Sequence, residues 1–138
     1  MYKKTITYTD FNGIERTEDF YFNLTRAEIV ELELTTEGGL EQAIKKIIDA
    51  QDLPTLSKYF KSVIEMSYGE KSADGRRFIK KKDDGTPLFK EFSETEAFSK
   101  LYIELATDSK AAAEFVNGIV PDDYTPGNGE VVGINKPE

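Results

Sequence analysis

The sequence predicts an α+β fold, mostly helical, with an N-terminal β-hairpin packed on a bundle of about five short helices and a flexible C-terminal tail. Three observations carry this. Two stretches of period-two patterning flank Asn12-Gly13. Beyond residue 24, apolar residues recur every three or four positions behind Ser/Thr starts with Glu three residues on. After Pro121 the chain is dense in Pro, Gly and charge and poor in apolar residues. A length of 138 residues suits a single globular domain over residues 1–120 with an acidic tail over residues 121–138.

The hairpin spans residues 2–22. Tyr2, Lys4, Ile6 and Tyr8 share one face of its first strand, and Lys3, Thr5, Thr7 and Thr9 the other. Asn12-Gly13 tolerates the positive φ of a tight turn, and residues 14–22 return as the second strand. Helices fill residues 25–117. The first starts at Thr25, where Thr25 and Glu28 form a capping box, and it presents Ala27, Val30 and Leu34 on one face, with Ile29 and Leu32 beside it. Leu40, Ala43, Ile44, Ile47 and Ile48 mark an amphipathic helix over residues 40–50. Leu56, Tyr59, Phe60, Val63, Ile64 and Met66 line a third, over residues 54–68, that ends near Gly69.

Residues 69–87 read as an extended loop, with a short strand or hairpin around residues 76–88 and a helical turn through Phe92. Ser93 and Glu96 form a second capping box before a helix with Ala97, Phe98, Leu101, Tyr102 and Leu105 on one face. Thr107-Asp108 recaps a last helix over residues 109–117, and Gly118 is placed to end it.

Composition removes whole classes of chemistry. The chain has no Cys, His or Trp. That excludes disulfides, thiolate nucleophiles, Cys and His zinc sites and the Ser-His-Asp triad. No cofactor or metal site is expected, and an enzyme is the least favoured class. A formal net charge of −8 repels phosphate backbones at long range, which makes nucleic acid an unlikely partner. No apolar stretch approaches the ~20 residues of a membrane span, and no signal peptide is expected.

The charge is uneven. Residues 61–90 hold eight basic and five acidic residues, whereas residues 91–138 hold three and ten. Arg76, Arg77, Lys80, Lys81 and Lys82 surround Phe78 and Ile79, which makes this loop the best polar candidate for partner contact. The bland alternative is a solvated loop, and nucleic-acid contact ranks last of the three. Phe20-Tyr21-Phe22 adds a second hint, because adjacent strand residues face opposite ways and one face then needs a covering surface. Phe11 and the remaining aromatics are expected in the core. Glu28 and Glu31 are read as solvent-facing. Asp83-Asp84-Gly85 lacks the spacing of a calcium loop, and Gly38-Gly39 lacks the phosphate-binding fingerprints.

Taken in order, DFNGIERTEDFYFNLTRAEIVELEL, GGLEQAIKKIIDAQD, SYGEKSADGRRFIK and TEAFSKLYIELATDSKAAAEFVNGIVP resemble the tail assembly chaperones of long-tailed phages and prophages of Gram-positive bacteria. The resemblance covers about residues 1–121. It implies a non-catalytic protein of the host cytoplasm that binds the tape-measure protein and keeps it soluble until tail-tube subunits polymerise around it. It also implies absence from the finished virion, a possible link to the tail-tube protein and, in related genes, a longer frameshifted product. Self-association is expected, since repeated capture along an extended partner favours it through avidity. The alternatives are a structural virion component, such as a tail-tube or head–tail connector protein, and a small nucleic-acid-associated regulator using the basic loop.

Overall fold

In the computed structural model, residues 1–35 and 53–121 are described. The helix expected over residues 40–50 and the tail after Pro121 lie outside the described residues.

Strand β1 (Tyr2–Thr9) pairs antiparallel with β2 (Glu15–Phe22), from Tyr2 opposite Phe22 to Thr9 opposite Glu15. The turn between them works as Asn12-Gly13 predicts. Gly13 adopts φ +80°, its N–H donates to the Asp10 carbonyl, and the Asp10 carboxylate accepts from the Asn12 and Ile14 N–H groups. Burial alternates along β1 as expected, with Ile6 and Tyr8 inside and Thr5, Thr7 and Thr9 outside. Across the outer face Thr5 donates to Asp19, and the Thr7 and Thr17 hydroxyls lie 2.9 Å apart.

Helix α1 (Arg26–Thr35) opens with the predicted capping box: the Thr25 hydroxyl accepts from Glu28 N–H, and the Glu28 carboxylate accepts from Thr25 N–H. Its inward face differs from the expected one. Ile29 is fully buried, Ala27 is exposed and Leu34 is 62% exposed. Helix α2 (Leu53–Ser67) buries Phe60, Val63 and Ile64, leaves Met66 exposed and carries a buried Ser67 whose hydroxyl donates back to the Val63 carbonyl. The side chain of Leu56 lies outside those described.

The sheet is larger than a hairpin. Chain leaving α2 enters β3 (Tyr68–Lys71) with no intervening turn, and β3 pairs with β2 through Tyr21–Gly69 and Phe22–Tyr68. Then β4 (Phe78–Ile79) pairs with β3, giving the order β1-β2-β3-β4, all antiparallel. Gly69 is required by this crowding rather than by a helix end. A Cβ there would lie 2.6 Å from both the Ile79 carbonyl oxygen and the Phe78 ring.

The one-turn helix α3 (Phe89–Phe92) delivers Phe89 and Phe92 to the core. Helix α4 (Glu96–Thr107) is capped by Thr95, whose hydroxyl accepts from Phe98 N–H, and not by Ser93, whose hydroxyl donates to the Lys90 carbonyl. Ala97, Leu101 and Leu105 form its buried face, and it packs on β1, α2 and α5. Asp108 caps α5 (Ser109–Ile119) through the Lys110 and Ala111 N–H groups. Gly118 does not end this helix. It sits inside it because Tyr2 crosses there, and an added Cβ would meet the Tyr2 ring at 2.4 Å.

Candidate protein-docking surface

The two sequence-predicted contact features have different fates. Phe22 is fully buried and its ring centroid lies 5.2 Å from Phe115, 5.7 Å from Tyr68 and 6.0 Å from Phe92. Phe20, half-buried, packs 5.0 Å from Phe92. Phe20 and Phe22, which share one face of β2, are thus covered by the chain's own β3, α3 and α5, whereas Tyr21 lies on the opposite face and is only partly buried. This cover removes Phe22 as a contact residue in this fold, because a side chain with no exposed surface meets no partner. The helical turn expected through Phe92 is α3, but nothing local in the sequence shows that it packs over Phe20.

The basic segment is two built turns. In the first, Gly75 takes φ +74°, Ser72 N–H donates to the Arg77 carbonyl, and Asp74 accepts from the Ser72 hydroxyl and Arg76 N–H. These two donors hold the Asp74 carboxyl below its ordinary value, the backbone N–H of Arg76 contributing most. In the second, Gly85 takes φ +91°, Lys82 N–H donates to the Thr86 carbonyl, and Asp84 accepts from Thr86 N–H. Lys81 and Pro87 close it as an antiparallel bridge. Asp83-Asp84-Gly85 is therefore a turn in which the Asp84 carboxylate is occupied by backbone. Among the described residues no group of His, Cys, Asp or Glu side chains is arranged to hold a metal ion.

The five predicted cations separate by partner. Lys80 is structural: its Nζ reaches Glu28 Oε1 at 2.8 Å, Glu28 Oε2 at 2.9 Å and the Met66 carbonyl at 2.8 Å. It thus ties α1 to the end of α2, and Glu28 is an ion-pair partner rather than a solvated acid. Partial burial pushes the Glu28 carboxyl up, but Lys80 and the Thr25 donors outweigh this and hold it below its ordinary value. Lys82 pairs with Glu91 on α3. Arg76, Arg77 and Lys81 stay exposed at the two turns. Lys71, exposed on β3 opposite Phe78, joins them through the strand register. It escaped notice because only pairing brings it there. Phe78 is half-buried, laid over Gly69 with Lys80 Nζ 5.8 Å from its ring centroid.

Sequence reading also misplaced Phe11. It is 79% exposed at the tip of the first hairpin, with Ile14 55% exposed beside it. The turn that the Asp10 carboxylate organises pushes both side chains outward.

The arrangement is one of surfaces: exposed apolar groups on one hairpin and exposed cations on the other, carried on a sheet backed by α4 and α5. Comparison with known families agrees with this character. A family model described as phage tail assembly chaperone matches residues 1–127. The chain belongs to that family. No curated protein and no solved structure matches it. For a phage tail assembly chaperone, what matters is what the surface offers to tail proteins. No helix among the described residues is long and apolar enough to cross a membrane.

Proposed function

We propose that this chaperone captures the tape-measure protein in the host cytoplasm and keeps it soluble until tail-tube subunits polymerise around it. The family match over residues 1–127 carries the reading. Exposed Phe11 and Ile14 support it, since an amphipathic client buries apolar surface on such anchors. Arg76, Arg77, Phe78 and Lys81, with Lys71, form the accompanying contact, and Lys80 and Lys82 hold its second turn in place. The role is binding, not catalysis, and a net charge of −8 favours solubility of the loaded complex.

Copies of the chain associate along the extended client, which gives avidity without tight single contacts. The chaperone leaves before the particle is complete. Co-expression with the neighbouring tape-measure gene tests the reading. The tape-measure chain is expected in the soluble fraction, co-purifying with the chaperone, and the chaperone is expected to be missing from purified virions. Many copies in the mature particle would instead favour a tail-tube or connector component.

A further inference from the structure

We infer that the open edge of β1, with the groove beside α4, is a strand-addition site for an extended segment of another polypeptide carrying apolar and acidic residues in alternation. β1 is the outer strand of the sheet. Because Asp10 N–H bonds the Ile14 carbonyl, the ladder alternation aims the backbone groups of Tyr2, Lys4, Ile6 and Tyr8 at β2. Those of Lys3, Thr5, Thr7 and Thr9 point to the open edge. Close side-chain bonds at Thr5–Asp19 and Thr7–Thr17 agree, since side chains approach most closely at pairs that do not exchange backbone bonds. Among the described residues no backbone group meets this edge.

What does meet it is a lysine. Lys100 Nζ donates to the Thr7 carbonyl at 2.6 Å, among the described residues a single point of edge protection that an incoming N–H can replace. Beside the edge runs a groove of about 410 Å³ lined by Lys4, Thr5, Thr7, Lys100, Ile103 and Glu104, among others. Ile103 is 58% exposed there, a seat for one apolar side chain of an added strand. Lys4 is neutralised by Glu104 at 3.0 Å. Lys3 and Lys100 form no ion pair among the described residues. Charge therefore selects the occupant. A second copy would bring Lys3, Lys4 and Lys100 of both chains together at one seam, whereas an acidic strand pairs with the cations that are free. Backbone bonds supply the affinity and the alternating side chains the selectivity.

The inference takes from the proposed function only that the partner is an unassembled polypeptide, and its test needs no tape-measure protein. The probe is an acetylated, amidated eight-residue peptide alternating valine and glutamate, titrated into the full chain and followed by amide hydrogen exchange. Slowed exchange at the Thr5 and Thr7 amides is expected. A lysine-for-glutamate peptide is expected to bind roughly tenfold more weakly, as is the original peptide to a Lys3→Glu, Lys100→Glu variant with an unchanged melting temperature. Binding that leaves the Thr5 and Thr7 amides unaffected, or no binding at all, overturns the site. So does concentration-dependent protection of those amides in the free chain, which would mean that a second copy already occupies the edge. Edge protection by the peptide supports the site even if tape-measure capture fails.

Discussion

At the scale of single residues, the fold depends on close approaches that only glycine permits. Gly118 and Gly69 both sit where a Cβ would come within 2.6 Å of a ring or backbone atom. Gly69→Ala is expected to destabilise by roughly 1–3 kcal/mol, because Ile79 is backbone and cannot swing aside. Gly118→Ala should be milder if the Tyr2 ring rotates. Urea denaturation of both variants reads the difference, and equal midpoints to the parent would show the approaches to be looser than described. Phe22→Ala removes the centre of a ring cluster and is expected to lower stability by about 3–5 kcal/mol. The sequence signalled these residues but not their roles. Gly69 and Gly118 looked like helix ends because glycine commonly ends helices, and nothing local reveals a ring crossing from a distant strand. Phe20-Tyr21-Phe22 was legible as a strand with apolar residues on both faces, while the packing of Phe20 and Phe22 on the chain's own rings was not.

At the scale of elements, caps and turns were the most legible features, because their chemistry is local. Asn12-Gly13, the Thr25–Glu28 box and the Asp108 cap all appear where residue type places them. Strand β3 was hidden. It follows α2 without a break, and its pairing with β2 spans dozens of residues. The inward face of α1 was misread by one residue step, since a short helix with evenly scattered apolar residues has no strong stripe. Asp108 accepts from two N–H groups at the start of α5, so Asp108→Ala should cost roughly 1 kcal/mol, most of it local to α5. Faster amide exchange across residues 109–112, with β2 unchanged, is the expected signature. The pairing of Lys80 with Glu28 and the Met66 carbonyl makes the second turn part of the framework. Lys80→Ala should therefore loosen α1, whereas Lys81→Ala should leave stability unaltered and act only on partner binding.

At the scale of the molecule, pH response follows from composition. With no His, no side chain ordinarily titrates between pH 5 and 8, so stability should be flat there. Glu28, Asp10, Asp74, Asp84 and Glu91 are all held below their ordinary values by cations or N–H donors. Each contributes stability present above the unfolded carboxylate value and lost as pH falls through the lower folded one. The acid limb should thus open below about pH 4.5 and deepen as these groups protonate. On the alkaline side, burial, aided by Glu70, Glu18 and Glu91, pushes Tyr68 up to about 12 from 10.0. Its contribution is complete below pH 10 and is lost as pH rises toward 12, which should appear as a late tyrosinate absorbance step coincident with unfolding.

The molecular asymmetry that sequence did reveal, a basic island on an acidic chain, is sharpened by the structure into exposed Lys71, Arg76, Arg77 and Lys81, with Lys80 and Lys82 assigned to ion pairs. The central claim is that this surface serves capture of the tape-measure protein. Its most direct measurement is co-purification of the tape-measure chain with tagged parent and with an Arg76→Glu, Arg77→Glu, Lys81→Glu variant that melts at the parent's temperature. Soluble tape-measure chain is expected to be retained by the parent and lost from the variant. A tape-measure chain that stays insoluble with the parent, or that is retained equally by both, would contradict the claim.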